Sequence, residues 1–347
     1  MNANAKVAGL DIAKEVFVAV GLDRNGKAVF KHKMKRGEVL ATFRKLQPMA
    51  IGIEACAGSH YWARELAALG HDVKLIAAQH TRAFVTGNKN DTNDAAAIAE
   101  ARSRSSTKYV PINTPAQQDL QMLHRARSAL MSERIAMINR IRAFAAEYGR
   151  VFASGVAKFK VGLLAWLADP DNGLSGLALA TFRELKEQLD DKEQRILTYE
   201  RKLNQAAKSE VAQKLMEVPG VGPLTATAVM ASVADPHHFR SGRDFAANLG
   251  LVPREHSSGG KQRLYGITGK GDSYLRTLLI HGARSALRCA GNKTDSQLRW
   301  ASNLAHRRNF NVAAVGLANK MARVIWAILA HGRGYVPVWS NSMTRPA

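Results

Sequence analysis

The chain has 347 residues, 46% of them hydrophobic and 22% charged, a balance that suits folded domains with sizeable cores and excludes a largely disordered chain. Lys and Arg number 50 against 28 Asp and Glu, a net charge of +22, which points to a polyanionic partner. Cys56 and Cys289 are the only cysteines, too few for a disulfide framework or a zinc site, and they fit a reducing, cytoplasmic setting.

The first hundred residues alternate strand and helix signals. Residues 7–10 and 16–21 are short β-rich runs, and 28–32 form a third. Between the last two, Asp23-Arg24-Asn25-Gly26 reads as a hairpin turn, with Asn-Gly supplying the positive φ angles. A helix is expected over 38–46, closed by Pro48, then a buried strand at 50–53, a helix over 59–69 stopped by Gly70, a strand at 73–77 and an Ala-rich helix over 94–104. Three hairpin-type strands followed by helix–strand–helix–strand predict an α/β domain on a mixed sheet over residues 1–110.

Pro111 and Pro115 mark a boundary. Beyond them Leu123, Leu130, Met137 and Phe144 recur every seven residues, and Leu189, Ile196 and Leu203 form a second seam supported by Leu185 and Tyr199. Residues 111–210 are therefore expected to be a helical arm, either two long antiparallel helices or a coiled coil used for dimerisation. From Val211 onward the signals are helical, interrupted by one Gly-rich loop at 257–260, which makes 211–347 a third, mainly α-helical domain.

Charge follows this division. Residues 1–105 carry a net +6, 106–237 a net +3 and 238–347 a net +13, so the basic surface is concentrated at the C-terminal end. Residues 1–6 lead straight into a strand without the charged start and apolar core of a signal peptide. The most apolar C-terminal stretch, 324–330, is short and preceded by Lys320 and Arg323, so no membrane span is expected and nucleic acid is the better partner.

Four acids stand out. Asp11 interrupts the apolar run Val7-Ala8-Gly9-Leu10, Glu54 ends Ala50-Ile51-Gly52-Ile53, and Asp91 and Asp94 sit three apart at a helix start, where both can face one side of the first turn. Taken singly, each has an ordinary explanation as a helix cap or a solvated strand end. Together they follow the RNase H-like order: one acid on the first strand, one at the end of the fourth, and a pair on the last helix. Carboxylates held that close repel, and divalent cations relieve the repulsion. Two such ions about 4 Å apart serve phosphodiester chemistry.

Two further segments bear on nucleic acid. Val218-Pro219-Gly220-Val221-Gly222 lies between helical runs at 212–217 and 224–233, a helix-hairpin-helix pattern. Glycines let backbone approach a phosphate, and the next helix presents free N–H groups; a ligand-free Gly-rich turn has the same sequence. The second segment, Arg254-Glu255-His256-Ser257-Ser258-Gly259-Gly260-Lys261, carries a serine flanked by glycines with Arg254, Lys261 and Arg263 nearby to bind phosphate. A serine in such a loop is usually a turn residue, and its attack on phosphorus needs something to remove its proton.

These residues resemble one family. The stretches Gly9-Leu10-Asp11-Ile12-Ala13-Lys14, Gly52-Ile53-Glu54-Ala55-Cys56, Asn88-Lys89-Asn90-Asp91-Thr92-Asn93-Asp94-Ala95, Pro219-Gly220-Val221-Gly222, Gly250-Leu251-Val252-Pro253-Arg254, Ser258-Gly259-Gly260 and Tyr274-Leu275-Arg276 are similar to those of the bridge-RNA-guided insertion-sequence transposases. The resemblance implies a RuvC-like DEDD domain whose tetrad Asp11, Glu54, Asp91 and Asp94 binds Mg, and a C-terminal domain in which Ser258 links covalently to a DNA 5′ phosphate. It also implies donor and target DNA as substrates, a structured non-coding guide RNA, and a homo-oligomer (dimer or tetramer) combining tetrad and serine from different subunits. Ser257 is a departure that competes with Ser258; Ser258 is preferred because it immediately precedes the glycine pair. Alternatives are a site-specific DNA invertase of the same family, a RuvC-like nuclease or junction resolvase without serine chemistry, and a non-catalytic DNA-binding relative. An actin-like ATPase or sugar kinase needs a glycine-rich phosphate loop that Asp11-Ile12-Ala13-Lys14 lacks.

Overall fold

A computed structural model describes residues 5–88, 90–291 and 295–337. The chain divides into two compact units, Met1–Thr114 and Pro115–Ala347, so the helices expected to form a separate arm group with the C-terminal residues.

The first unit begins with a meander of β1 (Val7–Asp11), β2 (Val16–Leu22) and β3 (Ala28–Lys35). The turn between β2 and β3 is held by the Asp23 carboxylate, which accepts from the N–H groups of Asn25 and Lys27, while Gly26 takes φ +79°. There follow α1 (Val39–Arg44), β4 (Ala50–Glu54), α2 (Ser59–Ala68), β5 (Asp72–Ile76), the single turn α3 (Ala78–Thr81), α4 (Asp91–Ser103) and β6 (Tyr109–Val110). The six strands lie in the order β3-β2-β1-β4-β5-β6. β1 runs antiparallel to β2 and parallel to β4, and β4 parallel to β5. Alternation along the strands sorts side chains into two layers. Ala8, Leu10, Phe17, Ile51 and Ile53 pack with Val39, Phe43, Trp62 and Leu66 of α1 and α2. On the opposite face Val7, Val18 and Val20 pack with Ala95 and Ala99 of α4. This mixed sheet between helical layers is compatible with the expected RNase H-like fold.

The second unit holds α5 (Pro115–Glu147), α6 (Val156–Ala168), α7 (Gly176–Ala206), α8 (Glu210–Met216), α9 (Pro223–Ser232) and α10 (Gly242–Asn248). After these come β7 (Pro253–Glu255), β8 (Leu264–Ile267), α11 (Ser273–Arg288), α12 (Ser296–Arg307) and α13 (Phe310–His331). α5 and α7 pack antiparallel, as the cross-pairs Arg127–Glu200 and Glu133–Lys192 require. Leu189, Ile196 and Leu203 are all buried, as their spacing predicts, but Phe144 is 46% exposed and Ile141 and Ala145 take its place in the seam. α13 is long and apolar enough to cross a membrane. Its apolar side, including Leu317, Met321 and Ile325, fills the core that α8 to α12 enclose.

Candidate active site

Two glycines let one helix lie close against the strands that carry acidic residues in the first unit. A Cβ on Gly9 of β1 would fall 2.0 Å from the Ala95 carbonyl oxygen, and one on Gly52 of β4 would meet Ile98 Cγ2 at 3.1 Å and Arg102 Cβ at 2.9 Å. α4 therefore lies directly on β1 and β4. Its direction follows from its far end, where the Arg102 guanidinium pairs with Asp72, the first residue of β5, itself opposite Ala50 at the start of β4. The helix C-terminus sits at the strand starts, so its N-terminus points to the strand ends. Those ends carry Asp11 and Glu54, each one residue beyond the paired Leu10 and Ile53 and on the same face as Gly9 and Gly52 by the period of two.

Asp91 and Asp94 occupy the first turn of α4, which starts earlier than the predicted residue 94 because the Asn90 side chain caps it by accepting from Asn93 N–H at 2.8 Å. Lys89 of this motif lies outside the described residues. Asp11, Glu54 and Asp94 are half-buried and Asp91 exposed. The Cys56 thiol is pushed up by burial first and then by the charges of Glu54 and Asp11, so both carboxylates act on one point. Glu54 also accepts a 2.5 Å hydrogen bond from the Thr81 hydroxyl on α3, a contact that no sequence signal announced.

Among the described residues, Glu54, Asp91 and Asp94 form no ion pair, although the chain carries +22. Carboxylates left without a cationic partner are hard oxygen donors of the kind that suits a divalent ion. In the same described residues no three His, Cys, Asp or Glu groups are drawn closely enough together to hold an ion. The acids are aimed at one end of the sheet, not closed around a centre.

In the second unit the segment expected to be a helix-hairpin-helix spans α8, the turn at 217–222 and α9. Gly220 adopts φ +90° and faces α11, where an added Cβ would lie 2.5 Å from the Gly282 carbonyl oxygen. Its lack of a side chain thus serves internal packing, a different role from the phosphate approach anticipated for it. Gly222 has open space around its Cα. Pro219 is half-buried beside Gly220, and Pro223 at the first helical position removes one of the N–H groups that α9 would otherwise present.

The serine-bearing segment is a β-hairpin where a plain loop was expected. β7 and β8 pair antiparallel, Pro253 opposite Ile267 and Glu255 opposite Leu264. The tip is the turn Ser258-Gly259-Gly260-Lys261, closed by Lys261 N–H to Ser258 C=O at 3.1 Å with Gly259 and Gly260 at φ +57° and +73°, the positive angles of a hairpin turn. The two serines are not equivalent. Ser257 donates to Glu255 Oε1 at 2.6 Å and accepts from Arg263 N–H at 3.2 Å, whereas the Ser258 hydroxyl has no hydrogen-bond partner among the described residues. Arg254, Lys261 and Arg263 are exposed along the same hairpin and form no ion pair among the described residues.

The hairpin is anchored from its base. Arg276 on α11 donates to the carbonyls of Leu249 and Lys270 at 2.9 and 2.7 Å. Beside it Tyr274 joins a buried network. Thr227 donates to Pro223 C=O, so it accepts from His124 Nε2–H at 3.1 Å, leaving His124 Nδ1 to accept from the Tyr274 hydroxyl at 3.0 Å. Burial, then Arg127, holds the His124 imidazole down at about 4. Sequence reading gave His124 no role, because its partners lie on α9 and α11.

Comparison with known proteins bears on both units. Residues 8–149 match a DEDD-type domain of the IS110 group described as "Transposase", and residues 212–299 match "Transposase IS116/IS110/IS902 family". A "Probable family 20 transposase" of Pseudomonas aeruginosa is 46% identical over 96% of this chain and 99% of its own length. A "Transposase for insertion sequence element IS1111A" of Coxiella burnetii is 43% identical over 95% and 91%. A "Transposase for insertion sequence element IS1328" of Yersinia enterocolitica is 36% identical over 95% and 98%.

Proposed function

Because the chain belongs to the IS116/IS110/IS902 family of transposases, enzymes that cut and rejoin DNA, we propose that it mobilises an insertion sequence by attack of Ser258 on DNA phosphodiesters, assisted by a Mg site at Asp11, Glu54, Asp91 and Asp94. The observation that carries this reading is the convergence of β1, β4 and the α4 N-terminus, which sets Asp11, Glu54 and Asp94 at one end of the sheet. Bound Mg would supply charge neutralisation at the phosphate and acidify a coordinated hydroxyl.

The chain's own residues divide the remaining work. Thr81 orients the Glu54 carboxylate. Arg254, Lys261 and Arg263 bind the phosphate and neutralise the charge that builds on it during attack. Ser258 at the hairpin tip, whose hydroxyl has no partner among the described residues, is the nucleophile. It forms the Oγ–P bond while the bond from phosphorus to the 3′ oxygen of the neighbouring nucleotide breaks, the Ser258 proton passing through water to that departing oxygen, and the resulting phosphoserine keeps the bond energy for rejoining. Gly222 and the open start of α9 bind DNA backbone, with Pro219 and Gly220 shaping the turn. The reading extends to donor and target DNA, a structured guide RNA encoded by the element, and a homo-oligomer in which tetrad and serine come from different subunits.

The test is Asp11→Asn in the full chain, with element-end DNA and the RNA that copurifies with the protein. Strand cleavage should be lost while thermal unfolding is unchanged; undiminished recombination rules out the tetrad.

A further inference from the structure

β3 is the edge of the sheet, and Lys31, Lys33 and Lys35 alternate along it, all exposed. Register places them on the face that carries the acidic site. Asp11 lies opposite Val18, and Val18 opposite Lys33, so the three side chains share one cross-strand row on one face. Lys33 is two strand spacings from Asp11, about 9.6 Å between Cα atoms. Lys31 and Lys35 lie on the same face in the neighbouring cross-strand rows, opposite Val20 and Val16.

Three like charges spaced two residues apart, about 6.8 Å, repel one another. None of them forms an ion pair among the described residues. The Glu38 carboxylate, nearest in sequence, is occupied by the backbone N–H of Lys35. The opposite face of β3 is closed by Phe30 and Met34 in the core, so the row looks only toward solvent on the α4 side. Edge-strand lysines also discourage sheet-to-sheet pairing. That role needs a charge on the edge, but not three on the face of the acidic site, the middle one in the cross-strand row of Asp11, at a spacing comparable to successive phosphates on one strand.

We propose that Lys31, Lys33 and Lys35 form a phosphate track on which one DNA strand is laid toward the acidic end of the sheet. The inference rests on the reading of Asp11, Glu54, Asp91 and Asp94 as the phosphodiester-processing site, and it adds the path by which the strand arrives.

The test compares the full-length wild type with K31Q/K33Q/K35Q and K31R/K33R/K35R, using a mixed-sequence oligonucleotide as single-stranded DNA, duplex DNA and RNA over a range of salt. For single-stranded DNA the Gln variant should bind more weakly, with its log–log salt slope reduced by about 2, the loss of three contacts at about 0.7 each. The Arg variant should match wild type. Should the Gln variant fold poorly, acetylation of the wild type provides a second measurement: DNA should protect Lys31, Lys33 and Lys35. Unchanged affinity and slope, or no protection, overturns the proposal. So does a loss confined to RNA, or intact binding accompanied by self-association, which would assign the lysines to edge protection. Asp11→Asn run in parallel should bind normally without cleaving; if it still cleaves, the tetrad reading fails and the track loses its destination, whatever the lysine variants show.

Discussion

Gly9 of β1 and Ala95 of α4 are in backbone contact: an added Cβ on Gly9 would sit 2.0 Å from the Ala95 carbonyl oxygen and 2.4 Å from the Ala99 nitrogen. Two residues along the strand is Asp11, and one residue before Ala95 is Asp94. The bare strand therefore sets how closely the two carboxylates approach.

Gly9→Ala should push α4 off the sheet. Overpacking a well-fitted core costs about 1–3 kcal/mol, and backbone atoms cannot move aside as a side-chain end can, so the upper part of that range is expected. Strand cleavage should fall with all four acids intact. Denaturant unfolding together with a cleavage assay checks both. A variant as stable and active as wild type would show that α4 does not set the geometry.

The two hairpin glycines should separate. Gly220→Ala meets both a left-handed φ of +90° and the Gly282 carbonyl at 2.5 Å, so it should destabilise the second unit by a few kcal/mol (roughly 1–3 for each kind of strain). Gly282→Ala should do the same from the other side, its Cβ lying 2.1 Å from the Gly220 oxygen. Gly222→Ala has room and should unfold like wild type. If it nonetheless weakens DNA binding, the start of α9 touches the phosphate; unchanged binding removes Gly222 from the nucleic-acid surface.

His124 makes stability depend on pH. Burial is the main cause of its depression to about 4, Arg127 adds to it, and the Thr227 contact and Asp272 oppose it. An unfolded histidine takes a proton near 6.5, whereas the folded one stays neutral until much lower pH. The contribution is therefore complete above 6.5, shrinks as pH falls through the window from 6.5 to 4, and is gone below it. The full effect is on the order of 3 kcal/mol. Unfolding of wild type and His124→Asn at pH 7 and 5 checks the sign: wild type should lose more stability on acidification. Equal losses would mean that His124 is not held neutral.

The first unit was legible because its signals are local. The meander reads from alternation and the Asp23-Arg24-Asn25-Gly26 turn, and β1, β2, β4 and β5 end within about a residue of expectation. The four acids were visible as strand ends and a helix start. What aims them at one end of the sheet was not, since the tasks of Gly9 and Gly52 exist only once α4 lies on β1 and β4. The seam of α5 fails at Phe144 because a straight helix drifts about 20° per heptad, and Ile141 and Ala145 rotate into its place. In α7 the seven-residue seam persists. α6 went unread although Phe159, Leu163 and Trp166 line its buried side; apolar residues elsewhere around it, such as Val161 and Leu164, blur the periodicity. Among the described residues the β7–β8 hairpin pairs only with itself and is almost wholly exposed, so no core imprints alternation on its sequence.

The choice between the serines is now a chemical one. The Ser257 hydroxyl proton is engaged by Glu255 at 2.6 Å, and its oxygen accepts from Arg263 N–H. Using it as nucleophile would break the contacts that tie the base of the tip together. Glu255 could serve as its base, which is the argument in its favour, but the pair is exposed, and a carboxylate left in water is a weak base for a hydroxyl. Ser258 sits one residue further out, on a turn whose positive φ angles come from Gly259 and Gly260, and its hydroxyl costs no internal hydrogen bond to redirect. Ser258→Ala should therefore abolish the covalent protein–DNA adduct and recombination while leaving unfolding unchanged. Ser257→Ala should retain both at a reduced level, with a looser hairpin seen as faster amide exchange at Arg263. Trapping the protein on labelled DNA, denaturing it and mapping the modified peptide decides the matter. An adduct on Ser257, or recombination by Ser258→Ala, would move the nucleophile to the serine that this hairpin holds in place.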